Sequence, residues 1–137
     1  MSKRQTKEQE RAAYAWKCIK ATSEKSEDFR KRYGTLARNM ASLIQINGLG
    51  QALAFIYSRA KMADKKRSDK DRANEQIFND LSAWLKESLG KTAQKGDILQ
   101  ILTGESSSFY RRATVEAMGL IVWLRRFAES TLPMEDE

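Results

Sequence analysis

Residues 29–56 read FRKRYGTLARNMASLIQINGLGQALAFI and contain two helical patterns separated by a helix stop signal. Its first apolar residues recur at steps of four and three, which places them on one face of a helix: Phe29, Tyr33, Leu36, Met40 and Leu43. Asn47-Gly48 stops this helix, because both residues tolerate left-handed backbone angles. The next helix has its own stripe, Leu49, Leu53, Ile56 and Ala60. The stretch therefore predicts helices over about 24–46 and 49–61.

The rest of the chain shows the same helical spacing. Thr6 and Gln9 form a capping box, so a first helix is expected to run to about Ala21, with the stripe Ala12, Ala15, Trp16 and Ile19. A fourth helix ends near Leu89, and its core-facing residues are expected to be Ile77, Leu81, Trp84 and Leu85. A short fifth helix covers 98–102 and a last one about 106–130. We predict an all-α, compact single-domain bundle of about five to six helices over residues 1–132, followed by an acidic tail, 133–137.

Some features of these helices leave alternatives. The last helix has a main seam, Tyr110, Ala113, Ala117, Leu120, Leu124 and Phe127, and a second stripe, Val115, Met118 and Val122, that points nearly the other way. Such a helix lies at the centre of a bundle or contacts a partner, and we expect the central position. Because no charge lies between Leu49 and Ser58, we expect that helix to be buried on most sides. A close helix crossing would explain Gly34.

The composition excludes several kinds of active site. The 137 residues include no His and one Cys, Cys18, so imidazole bases, His-containing zinc sites and internal disulfides are excluded. Cys18 is expected to be a small buried residue, and the three tryptophans to lie in the core. No convincing acid-base pair of carboxylates, calcium loop or phosphate loop is visible, so we predict no catalytic residue, metal or cofactor. An enzyme that uses carboxylates and a metal is the remaining, distant alternative. No apolar run approaches the ~20 residues of a membrane span, and the protein is expected to be cytoplasmic.

The charge is unevenly distributed along the chain. The total is +7, but residues 1–72 hold eighteen basic and eight acidic side chains, whereas residues 73–137 hold seven and ten. A basic front half indicates an anionic partner, the alternative being a solvated surface. Segment 59–72 is typical of a solvated linker, and Tyr14 is expected to be exposed among lysines. The proposed phosphate contacts are basic residues on the outer faces of the long helices: Lys7, Lys17, Lys31 and Arg38.

Five motifs, taken in order, resemble a known family. They are RAA at 11–13, YGTLA at 33–37, LIQINGLGQALAF at 43–55, FYRRATVEA at 109–117 and WLRRFAE at 123–129. The Asn-Gly-Leu junction followed by Gln-Ala-Leu-Ala-Phe is the most specific part. Together these motifs resemble the small helical subunit of type III-B CRISPR effector complexes, also called Cmr complexes.

The resemblance implies a non-catalytic scaffold. In that family the small subunits stack head to tail beside the backbone subunits that hold the guide RNA, help to hold the target RNA, and leave cleavage to other subunits. The implied partners are further copies of the chain, the backbone and large subunits, and guide RNA or target RNA, with no membrane. The segments that match the family contain four arginines that are candidate RNA contacts: Arg11, Arg38, Arg111 and Arg112. The alternative is a stand-alone helical nucleic-acid-binding or protein-interaction adaptor.

Overall fold

The structure, a computed structural model, describes residues 4–92, 94 and 96–135. These residues form six helices and no strand: α1 (Lys7–Thr22), α2 (Glu27–Asn47), α3 (Leu49–Arg59), α4 (Asp69–Ser88), α5 (Ile98–Gly104) and α6 (Ser107–Thr131). The predicted all-α bundle of five to six helices is confirmed. Asp136 and Glu137 of the expected acidic tail, and residues 1–3 of the expected domain, lie outside the described residues.

Side chains at the helix starts set the boundaries. The Thr6 hydroxyl accepts a hydrogen bond from the backbone N–H of Gln9, whose side chain accepts one from the N–H of Thr6, as the capping box predicts. Between α2 and α3 the backbone reverses at Gly48, whose φ of 84° lies in the left-handed region. The predicted helix stop at Asn47-Gly48 is therefore confirmed.

All six helices contribute to one hydrophobic core. Helix α6 packs on α1 and α2, and α2 packs in turn on α4. The central residues of the predicted α6 seam are buried, as are the predicted inward residues of α4: Ala113, Ala117, Leu120, Leu124, Ile77, Leu81, Trp84 and Leu85. Cys18 is buried as predicted.

The buried stripe of α2 differs from the predicted seam. Leu36 and Leu43 are half-buried, whereas the buried apolar residues are Phe29, Tyr33, Ala37, Met40 and Ile44. A straight α-helix has 3.6 residues per turn, so a stripe with alternating steps of four and three drifts around its axis. The covered face of α2 therefore follows the helices that pack on it, chiefly α4 and α6, and not a strict heptad.

Two predictions of buried helix faces are wrong. Val115 and Val122, in the second stripe of α6, are 67% and 53% exposed, so α6 does not lie at the centre of the bundle. Phe55 and Tyr57 of α3 are also exposed, although no charge separates them from the buried residues. Each of these helices is covered on one side only, and the absence of charge did not indicate burial.

Two aromatic residues also lie in unexpected environments. Trp16, predicted in the core, is 44% exposed, and its ring meets Phe127 edge-on at 5.1 Å between centroids. Tyr14, predicted on the exposed polar side, is half-buried. Its hydroxyl donates a hydrogen bond to the backbone oxygen of Asp80 at 2.6 Å. Its ring also lies 5.0 Å from that of Trp84. Tyr14 thus links α1 to α4 and is not a free aromatic surface.

Gly34 makes room for the chain that follows α6. A Cβ at this position would collide with the carbonyl oxygen of Pro133. One residue along α2, the Thr35 hydroxyl accepts a hydrogen bond from the backbone N–H of Glu135 at 2.9 Å. The expected close helix crossing is therefore wrong, because the group that approaches Gly34 belongs to the C-terminal segment.

Candidate nucleic-acid interface

The carboxylate of Glu116 on α6 joins three helices. Arg11 of α1 donates from Nε and Nη2 to its two oxygens, at 3.2 and 3.1 Å. The indole Nε1 of Trp84 on α4 donates to Oε1 at 2.9 Å, and Lys7 Nζ lies 3.8 Å from the same oxygen. This cluster therefore brings two of the predicted basic residues, Lys7 and Arg11, to α6.

The charges in this cluster stabilise one another. Burial disfavours the ionised form of Glu116, but the hydrogen bonds from Arg11 and Trp84 hold its pKa below the ordinary value. The hydrogen bond to Glu116 also raises the pKa of Arg11, against the effect of burial. Arg11 donates its third hydrogen bond to Glu8 at 2.7 Å, and only 16% of its side chain is exposed. Its guanidinium is thus directed at groups of the protein and not at solvent.

Sequence reasoning missed Glu116, although one signal was present. It follows Ala113 by three residues and precedes Ala117, so it lies on the seam side of α6. A carboxylate on that side needs a partner, because an unpaired buried charge is strongly unfavourable.

An open groove of about 520 Å³ lies beside Glu116. Its lining includes Ser88, Ser108 and Val115. It also includes two more of the predicted basic contact residues, Arg111 and Arg112. Both arginines are exposed, and neither forms an ion pair with any residue that the structure describes. The Arg112 guanidinium lies over the Phe109 ring at 5.9 Å, and Arg111 Nη2 is 3.5 Å from the Ser108 hydroxyl. The groove therefore presents two positive charges that the described protein does not neutralise.

The other three predicted contacts lie elsewhere. Lys17 is exposed on α1, and Lys31 forms an ion pair with Glu27 at 3.1 Å. Arg38 is half-buried, and the expectation that it lies on an outer face is wrong. Its guanidinium donates to the carbonyl oxygens of Ala128, Leu132 and Pro133, at 3.3, 2.8 and 3.3 Å. Leu132 and Pro133 directly follow the last turn of α6, so Arg38 satisfies carbonyl oxygens at the C-terminal end of this helix.

A second polar cluster, also missed from the sequence, lies between α2 and α4. The Tyr33 hydroxyl donates to Asp80 Oδ2 at 2.6 Å, and Gln76 Nε2 donates to Oδ1 at 2.7 Å. Burial raises the pKa of Asp80 in spite of these bonds, and it raises the pKa of Cys18 to about 12. Tyr33 is fully buried, and Cys18 nearly so, and a thiol with this pKa is not a reactive nucleophile. The cluster joins helices, and its half-buried carboxyl, Asp80, is held by the hydrogen bonds from Tyr33 and Gln76.

Two other kinds of feature are absent from the described residues. No group of three or more acidic or cysteine side chains in residues 4–92, 94 and 96–135 is arranged to hold a metal ion. Of the helices in this part of the chain, none combines the length and the apolar character needed to cross a membrane.

Comparison with known proteins places the chain in one family. The sequence model of the family described as CRISPR-associated protein (Cas_Cmr5) matches residues 7–131. The CRISPR system Cmr subunit Cmr5 of Thermus thermophilus is 31% identical over 103 residues, which cover 75% of this chain and 77% of that protein. The crystal structure of a CRISPR-associated Cmr5 family protein from the same organism matches with a TM-score of 0.68, covering 93% of this chain and 98% of the other. At 23% identity that structural match establishes the fold. These matches confirm the resemblance expected from the motifs, and the chain belongs to the Cas_Cmr5 family.

Proposed function

We propose that this protein is a non-catalytic small subunit of a Cmr-type CRISPR effector complex, in which it helps to hold target RNA. The observation that carries the proposal is the family match over residues 7–131, which spans all six helices. The curated relative is itself named a Cmr subunit. The rival proposal, a stand-alone helical adaptor, has no observation of its own in its favour.

The groove beside Glu116 supports a direct role in RNA binding. Arg111 and Arg112 project from a rigid helix, and Lys7 lies at the neighbouring end of α1. Such side chains bind phosphates without reading the bases. The proposed phosphate contacts are Lys7, Lys17, Lys31, Arg111 and Arg112. We assign Arg11 and Arg38 to holding the protein together, since their guanidinium groups donate to Glu116, Glu8 and chain carbonyls.

Exposed apolar residues support a head-to-tail stack of copies. Such a stack requires two different surfaces that fit each other, because the same operation carries each copy onto the next. One apolar surface is on α6, at Val115 and Val122. Another is formed by Phe55 and Tyr57, in the last turns of α3, and by Met62, just after this helix. Exposed apolar surface of this kind is typical of protein contacts, and we propose that these two surfaces meet in neighbouring copies.

The test of RNA binding compares two arginine pairs on the same helix. The double variant Arg111→Gln/Arg112→Gln should reduce the slope of log affinity against log salt by about 1.4, at roughly 0.7 per phosphate contact on a single strand. Arg125→Gln/Arg126→Gln removes the same charge from the other end of α6 and should change the slope less. Both variants are titrated with target RNA in the reconstituted complex. Equal changes in the two variants would refute this groove as the RNA contact.

Two further experiments test membership in the complex and the absence of catalysis. A tagged protein should co-purify with larger Cmr subunits and guide RNA, whereas capture of RNA without these proteins would favour the adaptor. The isolated protein should not cleave labelled RNA or DNA with magnesium or manganese. Cleavage that disappears on substitution of one carboxylate would contradict the scaffold proposal.

A further inference from the structure

The segment after α6 places a carboxylate between two cations from different helices. Glu135 Oε2 lies 3.2 Å from Arg32 Nε on α2 and 3.6 Å from Lys70 Nζ on α4. Within the residues that the structure describes, neither cation has another ion-pair partner. Glu135 is therefore the only described carboxylate that neutralises this pair.

We propose that Arg32 and Lys70 form a phosphate site for an RNA strand, and that Glu135 occupies it as an internal competitor. This inference rests on the proposed RNA-binding function. One oxygen held between a guanidinium and an ammonium has the arrangement that a phosphate oxygen takes between such groups. When the segment leaves, the site exposes two positive charges for the strand.

The surroundings favour a polyanion at this position. Segment 59–72, which contains Lys70, holds seven basic and three acidic residues. Lys61, Arg67 and Arg72 are paired with carboxylates, and the segment as a whole keeps a net positive charge. An open groove of about 350 Å³ lies alongside, lined by Asp28, Lys31, Lys70 and Glu135. Asp28 is the opposing charge there, and it forms no ion pair with Arg32 or Lys70. A strand that displaces Glu135 therefore meets basic groups on both sides of its phosphate.

The segment is anchored at one end, which makes local exchange feasible. Leu132 is only 4% exposed and belongs to the core, so it stays in place. Beyond it, two hydrogen bonds hold residues 133–135: Arg38 donates to the Pro133 carbonyl, and the Glu135 N–H donates to the Thr35 hydroxyl. The two ion pairs of Glu135 are the other contacts. Lys70 is 48% exposed, so its ion pair with Glu135 is weak and sensitive to salt, whereas Arg32 and Glu135 are 25% and 21% exposed and form the firmer of the two contacts. Release of residues 133–135 would leave Arg38 its contacts with Ala128 and Leu132.

Glu135→Gln removes the competing charge while it keeps the backbone contacts of the segment. Its matched control is Glu129→Gln, which removes the same charge from an exposed position on α6 whose only described ion pair is with Arg125, at 3.8 Å. Arg32→Gln/Lys70→Gln, alone and combined with Glu135→Gln, removes the proposed site. All variants are titrated over a salt series with two probes, short single-stranded RNA on the reconstituted complex and inorganic polyphosphate on the isolated protein.

We expect Glu135→Gln to bind both probes more tightly and with a steeper salt dependence. One phosphate held by the two released cations should increase the RNA slope by about 0.7, which corresponds to a gain on the order of fourfold at ~0.15 M salt. Glu129→Gln should show a much smaller gain, and the gain of Glu135→Gln should disappear in the Arg32→Gln/Lys70→Gln background.

Four results would overturn the inference. Equal gains for Glu135→Gln and Glu129→Gln, or a gain that survives loss of both cations, would show an effect of net charge alone. No gain with either probe, while the wild type binds RNA, would refute the competitor and leave the proposed function intact. A gain with polyphosphate, without RNA binding by any form, would refute the proposed function and with it the assignment of RNA to this site.

Discussion

Replacement of Glu116 by Ala removes an acceptor that three side chains share. Arg11 would lose two hydrogen bonds and keep only Glu8, whose side chain is 61% exposed. The Trp84 indole N–H would lose its acceptor in a buried position, and Lys7 would lose its nearest carboxylate. We therefore expect this substitution to lower the free energy of unfolding more than any other single loss of a charged side chain on α6.

The magnitude follows from the burial of the partners. Loss of one member of a buried ion pair costs about 3–5 kcal/mol. The lower end applies here, because Arg11 keeps Glu8 and 16% of its side chain is exposed. An unsatisfied buried indole N–H adds about 1 kcal/mol. We expect a total of about 3–4 kcal/mol, which for a chain of this length lowers Tm by roughly 10 °C.

Urea denaturation followed by circular dichroism measures this loss. Glu129→Ala, which breaks only the exposed contact with Arg125, is the control and should cost about 0.5 kcal/mol or less. The pKa of Glu116 is lowered in the folded state, so its contribution is complete above its ordinary value of 4.5 and is lost as the pH falls through the folded pKa. The difference between wild type and Glu116→Ala should therefore shrink in acid. A loss no larger than that of the control would refute the reasoning.

Three further tests of the packing use thermal or urea denaturation. Leu120→Asp places a charge at a fully buried position and should cost more than about 4 kcal/mol, whereas Val122→Asp, at a 53% exposed position, should change stability by about 0.5 kcal/mol or less. Similar melts for the two variants would mean that the α6 faces are misassigned. Burial raises the pKa of Asp80, so the stability linked to its protonation is lost as the pH rises through that raised value. The free energy of unfolding of Asp80→Asn should therefore rise relative to that of wild type between acid and neutral pH. A difference between the two proteins that does not change with pH would contradict this. Gly34→Ala should cost about 1–3 kcal/mol by displacing the C-terminal segment, while Gly104→Ala, in open space, should be neutral or stabilising; equal effects would argue against the close approach.

The helices and their ends could be predicted from the sequence because they depend on neighbouring residues. The seam around Leu120 and the inward face of α4 follow from spacing within one helix. The capping box at Thr6 and the turn at Gly48 follow from contacts or backbone angles within a few residues. The ordered motifs also predicted the family, since their relative positions are a property of the chain alone.

The candidate site depended on the tertiary structure. Arg11 and Glu116 are 105 residues apart, and Arg38 meets a carbonyl 94 residues away, at Leu132. Periodicity shows which side chains share a face of one helix, but it does not show which other helix, if any, covers that face. For this reason Val122 and Arg38 were assigned to the wrong environments. Local spacing determined the helices of this protein, and only their packing decided which charged groups are neutralised and which remain exposed.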